Sequence, residues 1–297
     1  MYGSLQELCE LEEKSGKPFW KIVQEDDCRE QGITEEGSFE QMRAMYQAMK
    51  DADARYDEKL KSESGLVGTE GKKMMEARAE GTLLCGDFIG KVMEKALKTS
   101  ESNACMKRIV AAPTAGSCGV VPAVFLSLQE EKGYSEEKMV EALFVAAGIG
   151  GVIAERAFLA GAAGGCQAEI GSASAMAAGG VVHLSGGSAK EIANAAALAL
   201  KNLLGLACDP VAGLVEVPCV KRNVMGAVNA LTSADLTSAG IFSKIPPEVW
   251  RSSVPCAKVT VTSPGTSLVR WNGTERVIPS SLTVAVSLSN TTAASGI

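Results

Sequence analysis

The sequence is short of aromatic residues: Trp, Tyr and Phe together make up 5% of its 297 residues. A core with so little bulk has to close through small side chains and close backbone approach. Histidine is rarer still, with His183 the single example. A Ser–His or Cys–His nucleophilic machine would hang on that one residue, and a lone histidine is more often structural. Basic excess is missing too. The formal charge of −6 and pI near 5.1 argue against nucleic acid or an anionic membrane surface as partner. No GxxxxGK[ST] phosphate loop is present. The opening "MYGSLQELCELEEKSGK" carries acids where a secretory signal needs a basic patch and an apolar run. Long apolar runs are lacking as well. Residues 109–129 are uncharged but broken by Pro113 and Pro122, and residues 170–189 are diluted by glycines and serines, whereas a membrane span wants about 20 predominantly apolar residues. The expectation is a cytoplasmic protein with no membrane and no nucleic-acid partner.

What the sequence does have is glycine (31 residues), alanine and helical periodicity. "SFEQMRAMYQAMKDADARYDEKL" places Met42, Met45, Tyr46 and Met49 on one helical stripe, read as core. "SGLVGTEGKK" (64–73) reads as a loop, and helix resumes over "MMEARAEGTLLCGDFIGKVMEKALK" (74–98). Ser135 and Ser188 stand as N-caps, and Gly205 as a helix stop. The class is all-α, a helical domain over 1–249 with Gly/Pro-rich loops. Residues 250–297 differ in character. Between 251 and 297, 16 residues are Ser or Thr and Glu275 is the one acid. "AKVTVTSPGTSLVRW" and "SLTVAVSLSNTT" are strand candidates there by propensity, in what otherwise reads as a weakly ordered tail.

Nine cysteines in a chain without a secretory signal are read as core residues, catalytic thiols or metal ligands before disulfides. Most single cysteines are small buried hydrophobes. Cys166 in "GAAGGCQAEIGSASA", Cys208 in "LACDPVAG" and Cys219 in "VEVPCVKRN" stand apart, because glycines or prolines make their backbone loop-like. A thiolate-rich, histidine-free set favours an iron–sulfur cluster or zinc. Three ligands leave one position open, which points to catalysis more than to structure. The spacings of 42 and 11 residues match no short metal-binding pattern. "APTAGSCG" (112–119) offers small residues, a hydroxyl and backbone N–H groups suited to a carboxylate. Cys118 within it reads as a turn residue.

"APTAGSCGVVPAV", "GAAGGCQAEIGSASAMAA" and "CDPVAGLVEVPCVKRN" together resemble the α chain of the iron–sulfur-dependent L-serine dehydratases, over about residues 1–249 and in the right order. The resemblance implies an all-helical fold. It also implies a [4Fe-4S] cluster on Cys166, Cys208 and Cys219, with deamination of L-serine to pyruvate and ammonia and no pyridoxal phosphate. Thr114, Ala115 and Gly116 of "APTAG", and Ser64 and Gly65 of "SGLVG", match segments near the substrate. Members also have a second region, fused or on a separate β chain, with a His-containing "SSSHT"-type segment. This sequence lacks that segment, so a β chain is the expected partner and a candidate source of the general base. The resemblance stops near "IPPEVW", and a change of reading frame near codon 250 would produce such a break. Two other readings stand beside it: a cluster-dependent hydro-lyase for another small hydroxy acid, and a non-catalytic helical subunit whose cysteines are merely buried.

Overall fold

The computed structural model describes residues 2–207, 216–243, 266–271 and 274–279. Its body is all-α, and local signals explain most helix ends. Three helices come first: α1 (Leu5–Ser15), α2 (Phe19–Gln31) and α3 (Glu35–Ala54). On α3, Tyr46 and Met49 are buried and Met42 is partly so, but Met45 is 52% exposed. The stripe is therefore narrower than its spacing suggests, because position 45 lies at its edge, where the helix turns towards solvent.

The expected loop at 64–73 is shorter than predicted, since α4 (Glu70–Ala79) already starts at Glu70. Glu101 supplies the cap that makes this possible. Its carboxylate accepts the backbone N–H groups of Glu70 (2.6 Å) and Gly71 (3.1 Å), two donors that a helix start leaves without intrahelical acceptors. Glu101 lies on α5 (Gly86–Ala104), so the single helix expected over 74–98 is two, broken between Ala79 and Gly86 where Gly81 and Gly86 take left-handed φ values of 68° and 75°. A 3-10 turn at Ala115–Ser117 then leads into α6 (Val120–Lys132).

Next come α7 (Glu136–Arg156), a short α8 (Gly161–Gly164), α9 (Cys166–Leu184) and α10 (Ala189–Asn202). Ser135 caps α7 as expected, its hydroxyl accepting the Lys138 N–H at 3.3 Å. Ser188 caps α10 in a reciprocal box with Glu191. That helix ends at Asn202, ahead of Gly205. The left-handed Gly205 follows (φ 91°) and donates its N–H to Gln167 Oε1 at 2.8 Å. Its role is to turn the chain back onto α9.

Helix α9 is the axis of the fold. It is buried on nearly every face, a consequence of its Gly, Ala and Ser content: small side chains let α6, α7, α10 and α11 (Val217–Ser238) all close on it. Helix α11 runs parallel to α9. Cys166 meets Cys219 at one end. Ile170 then fills the space beside Gly226, and farther along Ser174 Oγ donates to the Gly226 carbonyl and accepts from Asn229 Nδ2, both at 2.8 Å. In the tail, β1 (Thr266–Trp271) pairs antiparallel with β2 (Thr274–Pro279), Thr266 opposite Pro279 and Trp271 opposite Thr274. The end of the first strand candidate is thus β1, while "SLTVAVSLSNTT" lies outside the described residues. Among the described residues, no helix is long and apolar enough to cross a membrane.

Candidate cluster site at the start of two helices

Two of the three predicted thiols come together. Cys166 is the first residue of α9 and Cys219 lies in the first turn of α11. The expectation of loop backbone at these positions is corrected here: both are helical. Pro218 is compatible with this because a helix start needs no N–H from its first residues. Cys208 lies outside the described residues. Among the described residues no third carboxylate, histidine or thiol completes a metal-binding set.

Both sulfurs are withdrawn from solvent, Cys166 at 1% and Cys219 at 5% exposure. The Cys219 thiol is a hydrogen-bond partner of Cys166, and Arg222 Nη1 donates to Cys166 Sγ at 2.9 Å. The Cys219 hydrogen bond and the guanidinium charge bring the Cys166 thiol down to about 7, against burial and the nearby Glu169 carboxylate. Arg222 also donates to the Ala207 carbonyl at 2.9 Å, which ties the chain immediately before Cys208 to the same cation. A buried thiol pair beside an arginine suits an anionic, sulfur-rich group, and in that respect the donor set fits the cluster the motifs imply.

The "APTAGSCG" loop is built against this pair. Thr114 and Ser117 close it from within, their hydroxyls 3.1 Å apart and the Thr114 N–H on Ser117 Oγ at 3.4 Å. Asn103 Nδ2 holds the Ala115 carbonyl at 3.1 Å. The principal tie is Asn223, 1% exposed and four residues beyond Cys219. Its Nδ2 donates to the carbonyls of Gly116 and Cys219, and its Oδ1 accepts the Gly119 N–H, each at 2.8 Å. One amide thus sets the distance between the loop carrying Thr114, Ala115 and Gly116 and the turn carrying Cys219.

The "SGLVG" loop is drawn to the same helix start. Ser62 Oγ (2.8 Å) and Ser64 Oγ (2.6 Å) both donate to Glu216 Oε2, immediately before α11. Gly65, left-handed at φ 74°, donates its N–H to the Ser62 carbonyl and completes the turn. Lys221 Nζ reaches Glu70 Oε1 at 2.9 Å as a second tether. Behind this loop, Glu101 accepts the Tyr56 hydroxyl at 2.5 Å and is raised to about 7 by burial and by the neighbouring Glu70 carboxyl.

The two remaining chemical candidates fall away. Cys118 is fully buried, which pushes its thiol up to about 12. It remains a turn residue. His183 sits in the last turn of α9, 3.3 Å from Glu141. At 1.5 Å rise per residue that is roughly 25 Å from Cys166.

Arg222, Asn223, Glu169 and Glu216 escape a motif reading. Arg222 and Asn223 are the i+3 and i+4 neighbours of Cys219, and Glu169 is the i+3 neighbour of Cys166. Helical spacing would have found three of them once both cysteines were placed at helix starts. Glu216 had no such signal.

Residues 14–260 match the family profile described as "Serine dehydratase alpha chain". The chain belongs to that family. It is 43% identical over 246 residues to the probable L-serine dehydratase alpha chain of Bacillus subtilis, covering 83% of this chain and 82% of that one. It is 38% identical over 247 residues to the L-serine dehydratase alpha chain of Peptoniphilus asaccharolyticus, covering 83% and 85%. The L-serine dehydratase TdcG of Escherichia coli is 46% identical over 140 residues, 47% of this chain but only 31% of that protein. Some relatives therefore carry this sequence as the smaller part of a longer chain. The family match runs through every residue of the site described above.

Proposed function

We propose that this chain is the cluster-bearing α subunit of an L-serine ammonia-lyase. Cys166, Cys208 and Cys219 would hold a [4Fe-4S] cluster. When bound, the cluster supplies Lewis acidity at an iron without a protein thiolate, making the serine hydroxyl a competent leaving group. Loss of the α-proton and of water gives 2-aminoacrylate, which tautomerises to the imine and hydrolyses to pyruvate and ammonia. In this reading the chain's own residues do three things. Arg222 holds the Cys166 sulfur and screens its charge. Asn223 keeps Thr114, Ala115 and Gly116 against the turn of Cys219, where they take the substrate carboxylate. Glu216 keeps Ser64 and Gly65 at the other edge of the site. A β chain supplies the general base, and the enzyme works in the cytoplasm without pyridoxal phosphate.

The observation that carries the reading is the meeting of Cys166 and Cys219 beside Arg222, brought about by two helices that start side by side. The test is anaerobic co-purification with a serine dehydratase β chain. The expected result is a brown complex with four irons per α chain that bleaches in air and forms pyruvate from L-serine, with L-threonine slower. A colourless, iron-free complex would overturn the cluster. An α chain that turns over serine at full rate alone would overturn the partner-supplied base.

A further inference from the structure

Of the carboxylates around the site, most are already engaged. Glu216 takes two serine hydroxyls, Glu101 caps α4, and Glu70 pairs with Lys221. Glu169 differs: it makes no hydrogen bond or ion pair among the described residues. It is half-buried, on the same face of α9 as Cys166 and one turn along.

Two glycines from two separate motifs make room for it. A Cβ built on Gly116 would stand 2.8 Å from Glu169 Oε2, and one built on Gly161 would stand 2.5 Å from the same oxygen. The carboxylate is thus wedged between the "APTAG" loop and the segment leading into Cys166. Its charge is felt at both the Cys118 and the Cys166 sulfurs. An isolated anion in a half-buried crevice is costly unless a cation joins it.

We infer that Glu169 is the counter-ion of the substrate's α-ammonium group, and so the residue that selects an amino acid over the corresponding hydroxy acid. This rests on the proposed function and extends it. Serine carries carboxylate and ammonium on one carbon, so the groups that receive them must lie within a few ångströms of each other. A carboxylate in contact with Gly116, in the middle of the loop given to the substrate carboxylate, meets that condition. The cationic end of serine then lies beside the anion and its hydroxyl towards the thiols.

Two ligands separate this role from a structural one: L-serine, and 3-hydroxypropionate, which is serine without the amino group. The α–β complex would be prepared anaerobically as wild type, Glu169→Gln and Glu169→Asp. Iron content, cluster absorbance and thermal unfolding check that each variant is loaded and folded. Apparent affinity for L-serine comes from KM, and affinity for 3-hydroxypropionate from calorimetric titration in the absence of serine. Glu169→Gln should weaken L-serine by about tenfold to a hundredfold, the usual worth of a charged hydrogen-bond pair. Binding of 3-hydroxypropionate should be unchanged or tighter, and Glu169→Asp should recover part of the loss for serine. Equal weakening of both ligands by Glu169→Gln, or no weakening of serine, overturns the inference. In both cases the wild type still makes pyruvate and the proposed function stands. A wild-type complex with a full cluster that neither binds nor turns over serine would overturn the function and the inference with it.

Discussion

Replacing Asn223 by alanine removes an amide that serves three backbone groups at once. The Gly119 N–H loses its acceptor at 2.8 Å, and the Gly116 and Cys219 carbonyls lose their donor. Asn223 is 1% exposed, so water does not readily take its place. The Cys219 carbonyl keeps an intrahelical partner, as any residue inside a helix does. The Gly119 N–H and Gly116 carbonyl carry the loss. A buried polar group left unpaired costs about 1–3 kcal/mol, so Asn223→Ala should destabilise the chain by about 2–4 kcal/mol once both groups and the small cavity are counted. Urea unfolding should show this as a lower midpoint with an unchanged slope. Asn223→Asp is the sharper variant. It keeps an acceptor for Gly119 but turns a carboxylate oxygen on two carbonyls, and at neutral pH it should cost at least as much as alanine. In the assembled enzyme both variants should raise KM for serine, because the substrate loop is no longer held to the turn of Cys219. An unfolding free energy within about 0.5 kcal/mol of wild type, the ordinary effect of a neutral surface change, would refute the claim that this amide joins loop and helix.

Serine in place of Cys166, Cys208 or Cys219 should abolish iron colour and pyruvate formation together, whereas Cys85→Ser, at an exposed thiol, should leave both intact; iron analysis with a coupled pyruvate assay decides. Glu101, raised to about 7, binds a proton more tightly folded than unfolded. Its contribution is fully present below the ordinary carboxylate range and is lost as pH rises towards 7. Glu101→Gln mimics the protonated form, so its stability relative to wild type should increase between pH 5 and pH 7 in urea titrations, and a difference that shrinks over that range would count against the assignment. Gly226→Ala would put a methyl group 2.6 Å from Ile170 Cγ2. Overpacking of this kind costs about 1–3 kcal/mol, and thermal unfolding should show the parallel pair of α9 and α11 loosening by several degrees.

The helical class was legible because period and caps agreed, as at Ser135 and Ser188, where hydroxyls do close the first turn. Met45 was misjudged because one residue at the edge of a stripe has the same spacing as one at its centre. The start of α4 was hidden for another reason: its cap, Glu101, comes from a different helix 30 residues away in sequence, which no local rule can see. At the site, the motifs named the thiols and loops but not what holds them together. Asn223 and Arg222 were printed inside the quoted "CVKRN". Reading the prolines of that segment as loop markers concealed that helix α11 had already begun at Val217. Glu169 acquires meaning only through Gly116 and Gly161, two glycines that by themselves look like turn residues.

The parallel run of α9 and α11 has an electrostatic result. Each helix carries partial positive charge at its N-terminus, equivalent to about half an elementary charge, and neither start spends it on a side-chain cap. In an antiparallel pair the two macrodipoles would oppose each other at any one point. Here they add, and they add where Cys166 and Cys219 present their sulfurs. Together with the Arg222 guanidinium, the backbone of two helices sets positive charge against the Glu169 carboxylate at the Cys166 sulfur, favouring its thiolate over the thiol.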